Sequence, residues 1–320
     1  MAEIADLLSV SAIAKRFPGG AGIRDVSLAL PAGSITGFIG ANGSGKSTTL
    51  RCIVGLVKTD AGEIRIMGAP VSRAARRQIG FMPEERGLFA HERAREVIAF
   101  HGRLKGMRKG EAFAQADALL ARIGLGGRER TRVGALSKGN AQRVQVLCAL
   151  VHRPRILLLD EPLSGLDPVA QVEVLSLLAE FRAGGGGVLF STHSMKSVDT
   201  VCDRVVMLAD GCTVFEGDTA SAAAYAPHGV IVISSHPEAL KAAARSVGAS
   251  VNSLGGASAE AARFQVVLPR SVTHPALLRA LSEYQVPIHG FEPFSAGVEG
   301  AFLQLATAQA AERRAESLAA

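Results

Sequence analysis

The chain predicts an α/β domain wound on a parallel sheet, followed by a second, smaller α+β unit. Three observations carry that reading. Apolar runs such as Ile156-Leu157-Leu158-Leu159 and Val188-Leu189-Phe190 are continuous, as strands covered on both faces must be. The glycine-rich run Gly40-Ala41-Asn42-Gly43-Ser44-Gly45-Lys46-Ser47-Thr48 stands between a strand-like stretch, 35–39, and a helix-like stretch, 49–54. That strand–loop–helix setting is the one a phosphate-binding loop requires. Composition then shifts over 219–227, an Ala-rich stretch ending in Pro227, and a different alternation follows. A length of 320 residues suits two such units.

Taken in order, 7–10, 26–30 and 34–39 read as strands, the last two joined by the turn Pro31-Ala32-Gly33. Residues 62–68 alternate and end in glycine, a further strand, and 79–83 form a short strand closed by Pro83. Two helix-like stretches, 91–104 and 109–123, then break the alternation, and a helical insertion is expected over about 88–140. The polar loop Leu136-Ser137-Lys138-Gly139-Asn140 opens a helix over 141–152, which Arg153-Pro154 ends. Pro168 is placed as the first residue of the helix over 169–182. The strand 188–192 ends at His193, and 204–208 with 212–215 form a hairpin through Asp210-Gly211. The first domain is expected to span 1–219. Beyond it, strands at 230–234, 250–254, 263–268 and 288–291 interleave with helices at 237–247 and 274–284. That is the βαββαβ order of a ferredoxin-like unit, expected over 227–306. The helix from Gly297 runs into a tail, 307–320, that reads as exposed and frayed.

At 48% hydrophobic with no Trp, the chain can bury a large aliphatic core. No apolar run approaches the roughly 20 residues of a membrane helix. The acidic start, Met1-Ala2-Glu3-Ile4-Ala5-Asp6, predicts no secretory leader. Cys52, Cys148, Cys202 and Cys212 are scattered, which suits buried thiols in a reducing compartment. The net charge of +6 is concentrated in residues 65–132, with fifteen Lys/Arg against seven Asp/Glu. Two readings stay open there: solvated helix faces, or a surface facing anionic headgroups or an acidic partner. Aromatics are 5% of residues, too sparse for base stacking, so no nucleic-acid partner is expected.

The chemistry follows from residue types. Gly40, Gly43 and Gly45 lack Cβ atoms, so the loop can turn its N–H groups onto an anion. The helix behind the loop presents its positive dipole end to the same place. Lys46 adds a charge at the β- and γ-phosphates, and Ser47 offers a hydroxyl to Mg²⁺. Asn42, Ser44 and Thr48 complete the expected ATP-binding set. Asp160, at the carboxyl end of a buried strand, is placed to hold Mg²⁺ directly or through water. Glu161 is placed to orient the attacking water, and His193 to hydrogen-bond the γ-phosphate. Phe17 is either an adenine-stacking ring or an ordinary edge-of-core Phe.

Over 7–218 the chain resembles the ATP-binding subunit of ABC transporters. Residues 40–48 resemble Walker A, Leu136-Ser137-Lys138-Gly139-Asn140 the signature motif, and 156–161 Walker B with its catalytic glutamate. Ser164-Gly165-Leu166-Asp167 resembles the D-loop and His193 the switch histidine. The resemblance implies a homodimer with ATP and Mg²⁺ sandwiched between copies. Lys46 of one copy and Ser137, Lys138, Gly139 and Asn140 of the other would face the same phosphates. It also implies a separately encoded transmembrane permease and a place on the cytoplasmic face of the cell membrane. Two departures stand out. Glu84 occupies the place of the family's usual Gln; it can ligate Mg²⁺ but repels phosphate and donates no hydrogen bond. In the signature, Lys138 stands where Gly is common and Asn140 where Gln is. With Pro83-Glu84-Glu85-Arg86-Gly87-Leu88-Phe89, these features resemble exporters of drugs, sodium or polyketide-like compounds. Val298-Glu299-Gly300-Ala301-Phe302-Leu303 resembles the end of the C-terminal extension found in that branch. Two alternatives are a soluble ABC ATPase acting on nucleic acid or the ribosome, and a slowly hydrolysing nucleotide switch suggested by Glu84. The first lacks both a long coiled-coil insertion and a second Walker A.

Overall fold

The computed structural model of the protein describes residues 6–85, 87–193, 195–256 and 261–319. The chain divides into two compact units, Met1–Thr219 with Gln309–Ala320, and Ala220–Ala308.

In the first unit β1 (Asp6–Arg16), β2 (Gly22–Pro31) and β3 (Ile35–Gly40) lead into α1 (Lys46–Val54). Next come β4 (Ala61–Ile66), β5 (Ala69–Pro70), β6 (Ile79–Met82), α2 (Ala94–Leu104), α3 (Lys109–Arg122) and α4 (Lys138–Leu150). Alternation resumes with β7 (Ile156–Asp160), α5 (Pro168–Ala183), β8 (Gly187–Ser191), α6 (Met195–Val201), β9 (Arg204–Ala209) and β10 (Cys212–Asp218). The strands order as β5-β4-β1-β2-β10-β9-β3-β8-β7-β6. From β9 to β6 every neighbouring pair is parallel, so β3, β8, β7 and β6 share one carboxyl edge, where ligands of such sheets bind. β1, β2 and β4 pair antiparallel, as do β9 and β10. Every residue of β3, β7 and β8 is buried. Phe38, Leu158 and Leu189 are fully enclosed, each burial contributing roughly 1.5–3 kcal/mol. Rigid strands beneath thus fix the loops at that edge. α2 and α3 form the helical insertion, tied by Arg95 Nη2 to Asp117 Oδ2 at 2.6 Å.

The second unit opens with α7 (Thr219–Ala223), which straddles the division, and β11 (His228–Ser234). It continues through α8 (Pro237–Ser246), β12 (Ser250–Gly256), β13 (Ala262–Leu268), α9 (His274–Glu283) and β14 (Gly290–Ser295). Its sheet is antiparallel, in the order β12-β13-β11-β14. Val230, Val232, Phe264 and Val266 pack with Leu240, Leu277 and Leu281 from the two helices.

Three local expectations change. α4 begins at Lys138, so the polar stretch 138–140 is its first turn and not a loop, because Ser137 caps it. The last strand starts at Gly290, since pairing with β11 runs from Gly290↔Ile233 to Ser295↔His228. α6 was not expected. α10 (Gly297–Ala319) runs on from the second unit through the tail. Near its end Arg313 Nη1 lies 3.2 Å from Asp210 Oδ2, its side chain 19% exposed. A polar, Ala-rich run gives no hint of such an anchor.

Candidate functional site

The loop between β3 and α1 closes tightly. Gly45 caps α1 at φ +107°, and a Cβ there would collide with Ile23. A Cβ on Gly40 would sit 2.6 Å from the Leu208 carbonyl oxygen. The loop curls around its own lysine: Lys46 Nζ donates to the Gly40 carbonyl at 2.6 Å and to the Ala41 carbonyl at 3.2 Å. Burial pulls the Lys46 pKa below that of an ordinary lysine, while Glu161, Asp160 and Glu84 push it back up. The cation is therefore held by two neutral carbonyls, weaker acceptors than a phosphate.

An open pocket of about 370 Å³ adjoins this loop. Phe17, Asn42, Gly43, Gly45, Lys46, Ser47, Thr48, Glu84, Asp160 and Glu161 line it. Ten sequence-predicted residues from four segments thus meet in one place. Ser47, Asp160 and Glu84 supply only oxygen donors, the set that Mg²⁺ accepts. Among the described residues no group of three or more His, Cys, Asp or Glu stands ready for a metal. Phosphate and water oxygens would have to complete the shell, as at nucleotide-linked Mg²⁺. Ser44 is not among the lining residues. It is 5% exposed and faces Gly40, while its backbone bonds to Ala41 and Gly211.

Asp160 is 3% exposed at the end of β7. Ser191 Oγ, on β8, donates to Asp160 Oδ1 at 2.5 Å and accepts from the Glu161 N–H at 2.9 Å. Glu161 adopts φ +52°, an unusual backbone state for a non-glycine residue. Burial raises its pKa above that of an ordinary glutamate, opposed by His193, Lys46 and the hydrogen bond from His193. His193 Nδ1 lies 3.0 Å from Glu161 Oε2, with the His193 side chain 71% exposed. A partly desolvated carboxylate held between an imidazole and the phosphate loop is suited to orienting a water.

The remaining candidates lie elsewhere. Ser137 caps α4 by accepting the Asn140 N–H at 3.2 Å, and Asp167 caps α5 by accepting the Ala170 N–H at 2.9 Å. Neither these two nor Lys138, Gly139 and Asn140 line the pocket. α4 reaches the site through buried side chains that the motif reading missed. Gln142 Nε2 donates to the Glu161 carbonyl at 3.1 Å. Gln145 Nε2 donates to the Pro83 and Glu85 carbonyls at 2.7 and 3.2 Å, holding the loop that carries Glu84. The one available signal was two glutamines three apart among Ala141, Val144, Val146 and Leu147.

The ABC transporter family model matches residues 23–164. An uncharacterized ABC transporter ATP-binding protein of Bacillus subtilis, YhaQ, is 38% identical over 212 residues, covering 66% of this chain and 71% of that protein. The Nod factor export ATP-binding protein I of Burkholderia lata is 35% identical over 222 residues, covering 68% of this chain and 70% of that one. The solved structure of an ATP-binding subunit of an ABC transporter aligns with a TM-score of 0.63 at 30% identity, over 68% of this chain and 91% of the other.

Proposed function

This chain belongs to the ABC transporter family as an ATP-binding protein and an ATPase, and we propose that it powers a membrane exporter by closing on ATP against a second copy of itself. The observation that carries the reading is the incomplete pocket. Lys46, Ser47, Asp160 and Glu161 converge in it, while Ser137, Gly139 and Asn140 stand at the start of α4 and do not line it. A helix N-terminus favours an anion, and in a closed dimer the partner subunit's α4 would meet the phosphates from outside.

Lys46 and the loop N–H groups bind the phosphates of the substrate. Ser47 and Asp160 hold Mg²⁺, with Glu84 as an additional oxygen donor. Bound there, Mg²⁺ neutralises charge on the phosphate oxygens. Glu161 orients the attacking water, and His193 holds Glu161 while facing the γ-phosphate. Phe17, 37% exposed beside the pocket, stacks on the adenine ring.

The partner is a transmembrane permease, as ABC ATP-binding subunits generally have; among the described residues no helix is long and apolar enough to cross a membrane. Its docking place is the groove of about 470 Å³ on the helical insertion, lined by Phe89, Phe100 and Phe113 with Arg103 and Lys109. Phe89 and Phe100 are 55% and 40% exposed. A permease docked there would hold the ATPase at the cytoplasmic membrane face. The export direction is supported by the relative named for Nod factor export.

Light scattering tests the sandwich. Glu161→Gln should bind ATP, resist hydrolysis and double its mass on ATP addition, while Glu161→Gln with Ser137→Glu should stay monomeric. ATP-loaded Glu161→Gln that remains a monomer would remove the closing dimer from the proposal.

A further inference from the structure

We propose that Ser191 is a positioning residue for this ATPase: one buried hydroxyl sets both the metal-holding oxygen of Asp160 and the backbone of Glu161. The inference rests on the site reading above and deepens it.

Parallel pairing of β7 with β8 brings Asp160 opposite Ser191. Ser191 is fully buried and Asp160 is 3% exposed. The direction of both hydrogen bonds follows from the groups themselves. A peptide N–H only donates, so at 2.9 Å from the Glu161 nitrogen Ser191 Oγ must accept. Its single proton is then free for Asp160 Oδ1, 2.5 Å away, a short bond of the charge-assisted kind. The hydroxyl's single proton is thereby committed, and its two partners are neighbours in the chain.

Two consequences follow. With Oδ1 held by Ser191, the Asp160 carboxylate is fixed in one orientation, and its unengaged Oδ2 would be the better placed oxygen for Mg²⁺. Hydrogen bonds of this sort fix the orientation of ligating carboxylates, and losing one costs roughly 10–100-fold in metal affinity or activity. The second consequence concerns Glu161, which holds φ +52°. A left-handed non-glycine residue persists only where its surroundings over-determine it. The Ser191 bond to its N–H and the Gln142 bond to its carbonyl grip the peptide from both sides. Ser191 therefore controls where the Glu161 carboxylate points without touching substrate.

The test compares wild type, Ser191→Ala and Ser191→Cys by equilibrium binding of a fluorescent ATP analogue, with Mg²⁺ and with EDTA, alongside turnover. Binding in EDTA reads the phosphate loop alone, so Ser191→Ala should match wild type there. The tightening produced by Mg²⁺ should shrink by roughly 10–100-fold, and kcat should fall by a similar factor. Cysteine keeps the shape but donates weakly, so Ser191→Cys should fall between the two. If Ser191→Ala does not fold, Ser191→Cys is read by the same criteria. A folded variant with wild-type Mg²⁺ tightening and wild-type kcat overturns the proposal. Equal loss of binding in EDTA and in Mg²⁺ overturns it too, since that marks a merely structural defect. Failure of the underlying site reading looks different: Lys46→Ala would then bind the analogue as wild type does.

Discussion

At the residue scale, the site stores two unfavourable charge placements, the first of which nucleotide would relieve. Lys46 sits in a loop of backbone carbonyls, partly desolvated. Exchanging those carbonyls for phosphate oxygens converts neutral acceptors to charged ones, worth roughly 1.5–3 kcal/mol per bond. Lys46→Ala should therefore weaken ATP binding by roughly 10²-fold, with the fold retained by circular dichroism; binding within threefold of wild type would contradict the site. Glu161 carries the second placement. Burial raises its pKa in the folded chain, so the charged form is disfavoured on folding. A raised glutamate contributes stability below its unfolded pKa, and that contribution is lost as pH rises through the folded value. At pH 7 the charged Glu161 thus costs stability, and nucleotide-free Glu161→Gln should melt above wild type. The gap should close as pH falls below the ordinary glutamate range. The same variant should hydrolyse ATP about 10²–10⁴-fold more slowly, the usual loss of a general base. A Tm difference that widens toward low pH would reverse the assigned cause.

At the element scale, α4 joins two tasks. Its first turn carries Ser137–Asn140 outward, and one to two turns later its buried Gln142 and Gln145 hold the Glu161 and Glu84 segments. A shift of this helix would move the Glu161 and Glu84 segments together, because both are hydrogen-bonded to it. Gln145→Leu keeps the volume and leaves the Pro83 and Glu85 carbonyls without that donor, at roughly 1–3 kcal/mol of stability. We expect kcat to drop and ATP affinity in EDTA to hold, read by turnover and equilibrium binding. Unchanged turnover would detach α4 from the Glu84 loop.

How much was legible follows the same line between local and cross-strand information. Gly40–Thr48 and Asp160-Glu161 could be read because strand, loop and side chain are consecutive in the chain. Ser191 could not, because its meaning depends on the β7–β8 register that puts it opposite Asp160. The start of α4 was misplaced by three residues because Gly139 and Asn140 are poor helix formers. The Ser137 cap outweighs them, at roughly 1 kcal/mol. The βαββαβ order of the second unit could be read from periodicity, but the strand order β12-β13-β11-β14 needed the structure.

At the scale of the whole molecule, the two units have separate apolar cores. One cluster draws on residues from Leu7 to Leu208, the other on residues from Val230 to Val286. Among the described residues these two clusters share no side chain, so each can close by itself. The end of α10 groups with the first unit and places Arg313 against Asp210 and Cys212. Asp210 is 54% exposed, and solvent screening holds such a pair to about 0–1 kcal/mol. That is too little to decide whether the first unit folds. A chain ending at Thr219 should therefore be monomeric, cooperative in thermal unfolding and able to bind ATP within about threefold of the full chain, given so small a loss. Its Tm should fall by no more than about 4 °C for a unit of this size. In the full chain, Arg313→Ala should reproduce part of that decrease. Aggregation of the truncated chain, or ATP binding lost together with α10, would show that the first unit depends on the rest of the molecule beyond this one ion pair.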